Sequence, residues 1–234
     1  MQIHDSVALV TGANRGIGRA FAQALLERGA RKVYAAVRDP SRLDLPGVVP
    51  LALDVTSPEQ VAAAAARARD LTLLVNNAGV ARLGAFLAED AEQTARWHLE
   101  TNLFGMLRLS RAFAPVLAAQ GGGALLNVLS VASWVNGGAL ASYAMSKAAA
   151  WSLTNALRHE LAAQHTQVTA LHMGFVDTEL TAGLEVPKST PAQVVARALD
   201  GLEAGLPEVL ADTITQQVKQ ALSTPGGTVA SLGR

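Results

Sequence analysis

Short, wholly apolar runs alternate along the chain with longer stretches in which apolar side chains return every three or four residues. Val7-Ala8-Leu9-Val10 is the first run, and it ends in a glycine-rich loop. Residues 19–28 then place Phe21, Leu25 and Leu26 at helical spacing, with Gly29 as a stop signal. Residues 33–37 and 49–53 read as the next two strands. Thr56-Ser57-Pro58-Glu59 opens a helix with a capping hydroxyl, a proline at the first helical position and an early acid. Residues 71–75 form another apolar run, followed by helices over 90–99 and on through 117. A strand over 124–129, a helix over 143–164, a strand over 168–171 and a candidate last strand within 206–212 complete the order. Strands apolar on both faces and separated by helices predict a doubly wound α/β fold, a parallel sheet with helices on either side. Residues 1–222 read as one domain and residues 223–234 as a flexible tail.

The chain has 234 residues, 50% of them hydrophobic, and a formal net charge of zero. One large core is within reach at this length, since α/β domains run to roughly 250 residues. A neutral chain without a basic block is a poor electrostatic partner for nucleic acid. The absence of cysteine removes disulfides, thiolate metal sites and cysteine nucleophiles. Met1-Gln2-Ile3-His4-Asp5-Ser6 lacks the basic and apolar regions of a signal peptide, so a cytoplasmic location is expected. No charged residue occurs between Arg111 and Lys147, but Pro115, Gln120, Gly121-Gly122-Gly123 and Asn127 interrupt that stretch. A membrane helix needs about 18 continuous apolar residues, so this region reads as buried interior.

Candidate chemistry begins in the first loop, Thr11-Gly12-Ala13-Asn14-Arg15-Gly16-Ile17-Gly18. It lies between a predicted strand and a predicted helix. In that setting Gly12 lets the chain turn, Gly16 lets the backbone approach a pyrophosphate, and Gly18 lets the helix pack close to the sheet. Tyr143 and Lys147 are four residues apart in a helical stretch and so share a face. A phenol has a pKa of about 10, too high for a base near neutrality, and a neighbouring ammonium favours the phenolate. Ser130 ends the strand over 124–129, thirteen positions before Tyr143. His98, His159, His165 and His172 show no metal-ligand spacing and read as surface or internally bonded histidines; no metal is expected. No G-x-S-x-G elbow surrounds Ser130, which argues against a hydrolase triad.

The G-x-x-x-G-x-G loop, Asn76-Asn77-Ala78-Gly79, Ser130, and Tyr143 followed by Lys147 together resemble the short-chain dehydrogenase/reductase family, in its order and separations, from about Val7 to Leu180. The resemblance implies a Rossmann-like fold and an oxidoreductase in which Tyr143 is the general acid/base and Ser130 bonds the substrate oxygen. It implies that Lys147 binds the nicotinamide ribose, and that Asn102 kinks its helix and holds a water connecting to the lysine. Asn77, Ala78 and Gly79 would line the adenosine side, and Asp54-Val55 would lie beside the adenine; Asp54 reads equally well as a turn acid. Gly174, Val176 and Thr178 would face the nicotinamide. The family usually has Pro-Gly where this chain has Met173-Gly174, which implies a looser turn.

An acid about 20 residues after the loop holds the 2′-hydroxyl of NAD, and an arginine there accommodates a 2′-phosphate. Arg38 occupies that distance from Gly18, and the family's acidic slot falls on Val37. Arg15 is a second cation within the loop, so the cofactor expected is NADP(H). In the other reading Arg38 is a solvated loop arginine and Asp39 takes the ribose. By resemblance, Trp134, Val135, Asn136, Leu140, Phe175, Leu180 and Leu184 wall the substrate pocket under a lid at 179–190, with Gly183 and Pro187 as mobile points. This set carries no cation, which implies a neutral, hydrophobic ketone, aldehyde or alcohol. For Trp134 and Phe175, packing as plain core is the competing reading. A homodimer or homotetramer through helices 90–118 and 143–164 is expected, since Ala144, Ala148 and Ala149 permit close approach. A 3-oxoacyl-thioester reductase and a non-enzymatic NADP sensor are the alternatives.

Overall fold

The computed structural model describes residues 1–223; the tail assigned to 223–234 lies outside them apart from Ser223. Seven strands form one sheet: β1 (Val7–Thr11), β2 (Lys32–Val37), β3 (Val49–Ala52), β4 (Leu73–Asn76), β5 (Gly123–Val128), β6 (Thr166–His172) and β7 (Glu208–Leu210). Their spatial order is β3-β2-β1-β4-β5-β6-β7, and every pairing is parallel. This is the Rossmann-like, doubly wound sheet expected above.

Alternation along each strand divides the interior into two layers. Ala8 and Val10 face one side with Phe21 and Leu25 of α1 (Gly16–Glu27) and Val194 and Leu199 of α6 (Pro191–Glu203). Val7 and Leu9 face the other with Val61 of α2 (Pro58–Arg67), Phe113 of α4 (Met106–Ala119) and Leu157 of α5 (Ala141–Glu160). Burying both faces explains why the strands read as unbroken apolar runs.

Several boundaries differ from the periodicity. Helix α1 starts at Gly16, three residues earlier than expected, because Arg15 is still extended (φ −156°) and the loop turns directly into the helix. The helical stretch after residue 90 contains α3 (Ala91–Leu99), a π-helical turn (Glu100–Gly105) and α4. Helix α5 ends at Glu160, and His165 with φ 56° turns the chain into β6. Two helices lie outside the expected elements: α6, opened by a Thr190–Gln193 capping box, and α7 (Thr213–Ala221), opened by Asp212 and Thr215. Among the described residues, no helix is long and apolar enough to cross a membrane.

From β3 the chain returns to the opposite side of β1 to form β4. The direction of winding reverses there, so a crevice opens beyond the carboxyl ends of β1 and β4, where sheets of this kind bind ligands.

Candidate active site

The glycine loop lies on the β1 side of this crevice. Gly12 (φ +67°) and Gly16 (φ +51°) use conformations that L side chains avoid. Gly18 needs the absence of a side chain for another reason: a Cβ there would run into the Gly12 carbonyl and lie 2.6 Å from Asn77 Nδ2. The loop is anchored by Thr11, whose hydroxyl accepts the Asn77 and Ala78 amides, each at 3.0 Å, while Asn77 Nδ2 donates to the Thr11 carbonyl at 2.8 Å. No side chain caps the N-terminus of α1. Its first amides and the bare glycine backbone suit a phosphate group.

Arg38 follows β2 and is exposed. Asp39 is engaged elsewhere: its carboxylate takes the Ser41 amide at 3.1 Å and hydroxyl at 2.6 Å and faces Arg42, and the Ser41 hydroxyl holds its pKa below the usual carboxylate value. Val37 is buried in the core. Asp54 caps its own turn through the Thr56 amide and hydroxyl, which lower its pKa, with a smaller downward pull from Arg38. Val55 is buried against Gly105, where a Cβ would come within 2.7 Å of its methyl. Arg15 is paired with Glu179, the first residue of the lid turn, so this cation already has a carboxylate partner.

The second group forms around the carboxyl end of β5. Lys147 projects from α5 and donates to the Val128 carbonyl at 2.9 Å. Its ammonium is 5.8 Å from the Tyr143 ring centre. Burial alone lowers the Lys147 pKa to about 8. Burial also raises the Tyr143 pKa, opposed by a hydrogen bond from Ser130 that favours the phenolate. In the protein alone, therefore, the phenol keeps its proton at neutral pH: loss of water outweighs the Ser130 hydrogen bond, and Lys147 is not among the causes of the shift. Ser130 is buried, and its Oγ accepts the Ala132 amide at 3.1 Å.

Asn102 lies in the π-helical turn, as the expected helix distortion requires. Its Oδ1 accepts the Val80 amide at 2.8 Å, and its Nδ2 donates to the Val80 carbonyl and the Ser146 hydroxyl. It therefore ties the segment after β4 to α5. Gly79 leaves the gap between them: a Cβ there would be 3.3 Å from Asn102 Oδ1 and 3.8 Å from Lys147 Nζ.

The turn at Met173-Gly174 is tied by two hydrogen bonds. Met173 is buried, its carbonyl accepts the Val131 amide at 2.8 Å, and the Gly174 amide donates to Asp212 at 2.7 Å. Asp212, which also caps α7, thus links this turn to that helix. Val176 is buried and bridges to Ser189, joining the two ends of the segment expected to form a lid, while Thr178 lies 3.2 Å from a Cβ placed on Gly16.

The apolar wall residues divide. Phe175, Leu180 and Leu184 are 41%, 59% and 37% exposed. Val135 and Leu140 are half-buried. Asn136 shapes its own loop, donating to the Ala141 carbonyl at 3.0 Å and accepting the Gly138 amide. Trp134 packs into an aromatic cluster with His172 and Trp151, the competing reading for that residue. Ser133 is buried with its hydroxyl unbonded.

Thr11, Asp212 and the two buried histidines were not among the expected site residues. His98 accepts the Arg82 amide at Nε2 (3.0 Å), so Nδ1 carries the proton to Ser142 at 2.9 Å, directly before Tyr143. The available signal was the capping position of Asp212; nothing local marks a histidine whose partner is 44 residues away. His159 and His165 are exposed.

The chain matches the family model for short chain dehydrogenases over residues 6–188. It is 34% identical over 212 residues to the 3-oxoacyl-(acyl-carrier-protein) reductase FabG of Vibrio cholerae serotype O1, spanning 85% of this chain and 86% of that protein. It is 38% identical over 191 residues to the galactitol 2-dehydrogenase (L-tagatose-forming) of Cereibacter sphaeroides, spanning 77% and 75%. A crystal structure of a short chain dehydrogenase from Burkholderia cenocepacia J2315 in complex with NADP is similar with a TM-score of 0.95 and 42% identity, covering 100% of this chain and 99% of that one.

Proposed function

The chain belongs to the short-chain dehydrogenase/reductase family, and we propose that it is an NADP(H)-dependent enzyme interconverting a neutral, hydrophobic ketone or aldehyde with its alcohol. The observation that carries this reading is the meeting of Tyr143, Lys147 and Ser130 at the carboxyl end of β5, beside a glycine loop whose helix has no side-chain cap. The bound nicotinamide supplies or accepts the hydride directly.

The protein's residues carry the rest. Tyr143, protonated in its buried setting, donates its phenolic proton to the carbonyl oxygen in reduction and takes it back in oxidation. Lys147 stabilises the phenolate that donation leaves. Ser130 donates a hydrogen bond to the same substrate oxygen as charge develops on it. Asn102 holds the π turn and α5 in register, and the water expected to link it to Lys147 belongs to this proposal. Gly12, Asn14, Gly16, Ile17 and Gly18 cradle the pyrophosphate; Asp54, Val55, Asn77, Ala78 and Gly79 face the adenosine half; Gly174, Val176 and Thr178 face the nicotinamide. Arg38 supplies the positive charge for the 2′-phosphate, with Arg15 joining if Glu179 releases it. Two facts support NADP over NAD: Asp39 has its carboxylate committed to Ser41, and the similar Burkholderia cenocepacia structure is a complex with NADP. Residues 1–222 act as one catalytic domain, paired through α3, α4 and α5 as a homodimer or homotetramer.

A second reading, reduction of a thioester-linked 3-oxo group, is favoured by the Vibrio cholerae relative. One panel separates the two: NADPH and NADH oxidation with neutral ketones, aldehydes, anionic keto acids and a 3-oxoacyl thioester, with Tyr143→Phe as control. We expect turnover of neutral carbonyls with NADPH and a loss of about 10²–10⁴-fold in Tyr143→Phe. A preference for keto acids overturns the pocket assignment, and turnover confined to the thioester selects the second reading.

A further inference from the structure

His172 ends β6 and is buried, yet no step above uses it. Its Nδ1 lies 3.1 Å from the Ser130 carbonyl oxygen. A carbonyl only accepts, so Nδ1 carries a hydrogen; the Glu208 carboxylate lies 3.5 Å from Nε2, which makes no hydrogen bond, so the one proton of the neutral ring is on Nδ1. Burial keeps the ring neutral, its pKa pushed down to about 4. The same ring stacks on the Trp134 indole, with centres 3.9 Å apart and planes 20° apart. Trp134 terminates the short 3-10 turn Val131–Ser133 that Ser130 begins. One imidazole therefore holds both ends of the turn, the carbonyl at its entrance and the indole at its exit.

The brace is itself supported. Trp151 of α5 meets both rings edge-on, at 6.2 Å from Trp134 and 6.4 Å from His172. Lys219 of α7 places its ammonium 4.8 Å from the Trp134 ring centre and is paired with Glu208 of β7 at 2.8 Å. Inside the turn, the Ser130 hydroxyl is bonded to the Ala132 amide, so a shift of the turn moves the hydroxyl with it.

We propose that His172 is a positioning residue: by holding the Ser130 carbonyl and the Trp134 ring together, it sets where the Ser130 hydroxyl stands relative to Tyr143. The proposal rests on the oxidoreductase reading of Ser130 and Tyr143. His172 also decides the role of Trp134, which becomes a fixed wall rather than a side chain that adapts to substrate.

Two measurements test it. The first is the tautomer in the ¹⁵N-labelled wild-type protein, read by long-range ¹H–¹⁵N correlation, with the His172 signals assigned by their loss in His172→Asn. A proton on Nδ1 is expected; a proton on Nε2 overturns the proposal, whatever the enzyme's activity. The second is carbonyl turnover per NADPH-binding site in three variants. His172→Asn keeps an N–H near the Nδ1 position, His172→Leu has a similar size without the donor, and His172→Phe keeps a stacking ring without the donor. Leu and Phe are expected to lower kcat roughly 10- to 100-fold, as a misplaced catalytic donor does, with Asn recovering most of the loss. KM for NADPH should stay within about twofold, since uniform binding is untouched. Equal kcat in the Asn and Leu variants overturns the proposal, and that comparison stands even if the Phe variant does not fold. A wild type that turns over no carbonyl refutes the oxidoreductase reading instead, and the tautomer result then still decides the hydrogen bond.

Discussion

The two halves of the crevice are built from different materials. On the β1 side the chain presents backbone: positive-φ glycines, an uncapped helix end, amides held by the Thr11 hydroxyl and a carbonyl held by Asn77. On the β5–β6 side it presents reactive side chains on a backbone that distant side chains hold, such as the Ser130 carbonyl by His172 and the Gly174 amide by Asp212. The first half places a group common to many reactions and needs little beyond space and dipoles. The second half must hold one hydroxyl and one phenol in register, and it does so with buried polar contacts that tolerate no loss of a partner.

A methyl group added to the anchored glycine loop and one added to the open loop before α5 therefore differ in cost. Gly18→Ala puts a Cβ against the Gly12 carbonyl and Asn77, both parts of the rigid anchor. We expect a loss of about 2–3 kcal/mol in stability from overpacking, and NADPH binding weakened in proportion to the displaced loop. Gly137→Ala lies in the loop before α5, where a Cβ meets nothing within 4 Å. That variant should stay within about 0.5 kcal/mol of wild type. Denaturant unfolding and NADPH fluorescence titration of the pair check both. Similar costs at the two positions would remove the basis for the distinction.

The same contrast governs what was legible in the sequence. A backbone site announces itself through residue type, because only glycine satisfies Gly12, Gly16 and Gly18, and their spacing stands in one short segment. Tyr143 and Lys147 were legible for a similar reason, as helix neighbours within one turn. His172 and Asp212 were not, since their partners lie 42 and 38 residues away and neither residue type implies the contact. The tie beside Met173 is of the same kind: a carboxylate from the start of α7 holds the Gly174 amide. Nor could spacing reveal that burial would raise the Tyr143 pKa, because desolvation depends on the whole packed interior.

A buried neutral histidine also gives the side-chain half a pH dependence that the backbone half lacks. Burial is the main cause of the low His172 pKa; Lys219 and Lys147 push it further down, and the Ser130 carbonyl and Glu208 oppose them. The unfolded chain binds a proton at His172 near pH 6.5, whereas the folded chain resists until about 4. Stability is thus fully present above pH 6.5 and falls as pH drops toward 4, with about 2 kcal/mol from this residue gone by pH 5. His98, also lowered mainly by burial, adds to the fall in the same direction. Denaturant unfolding at pH 7.5 and pH 5 should therefore show a smaller drop in His172→Asn than in wild type. Equal drops would mean that His172 gains a proton in the folded protein without penalty.

The smallest expected effect, and the finest test of the backbone half, concerns its one charged side chain with a defined task. A glycine cradle binds the pyrophosphate shared by both nicotinamide cofactors, so discrimination must come from outside it. Arg38 is exposed past β2, Val37 is buried, and Asp39 is held by Ser41, the observations on which the proposed role of the guanidinium at a 2′-phosphate rests. A charge-assisted bond at an exposed site contributes about 1.5–2 kcal/mol, so Arg38→Ala should weaken NADPH roughly 10- to 30-fold. NADH, which has no 2′-phosphate, should bind the variant as it binds wild type. Raised salt should narrow the gap in wild type and do little in the variant, because the attraction is screened. Equal weakening of both cofactors would assign Arg38 a structural part, and an unchanged NADPH affinity would return the ribose to Asp39 or shift the phosphate to Arg15. In that last case Glu179→Gln, which frees Arg15 from its carboxylate, should tighten NADPH, joining the lid to the cradle through one ion pair.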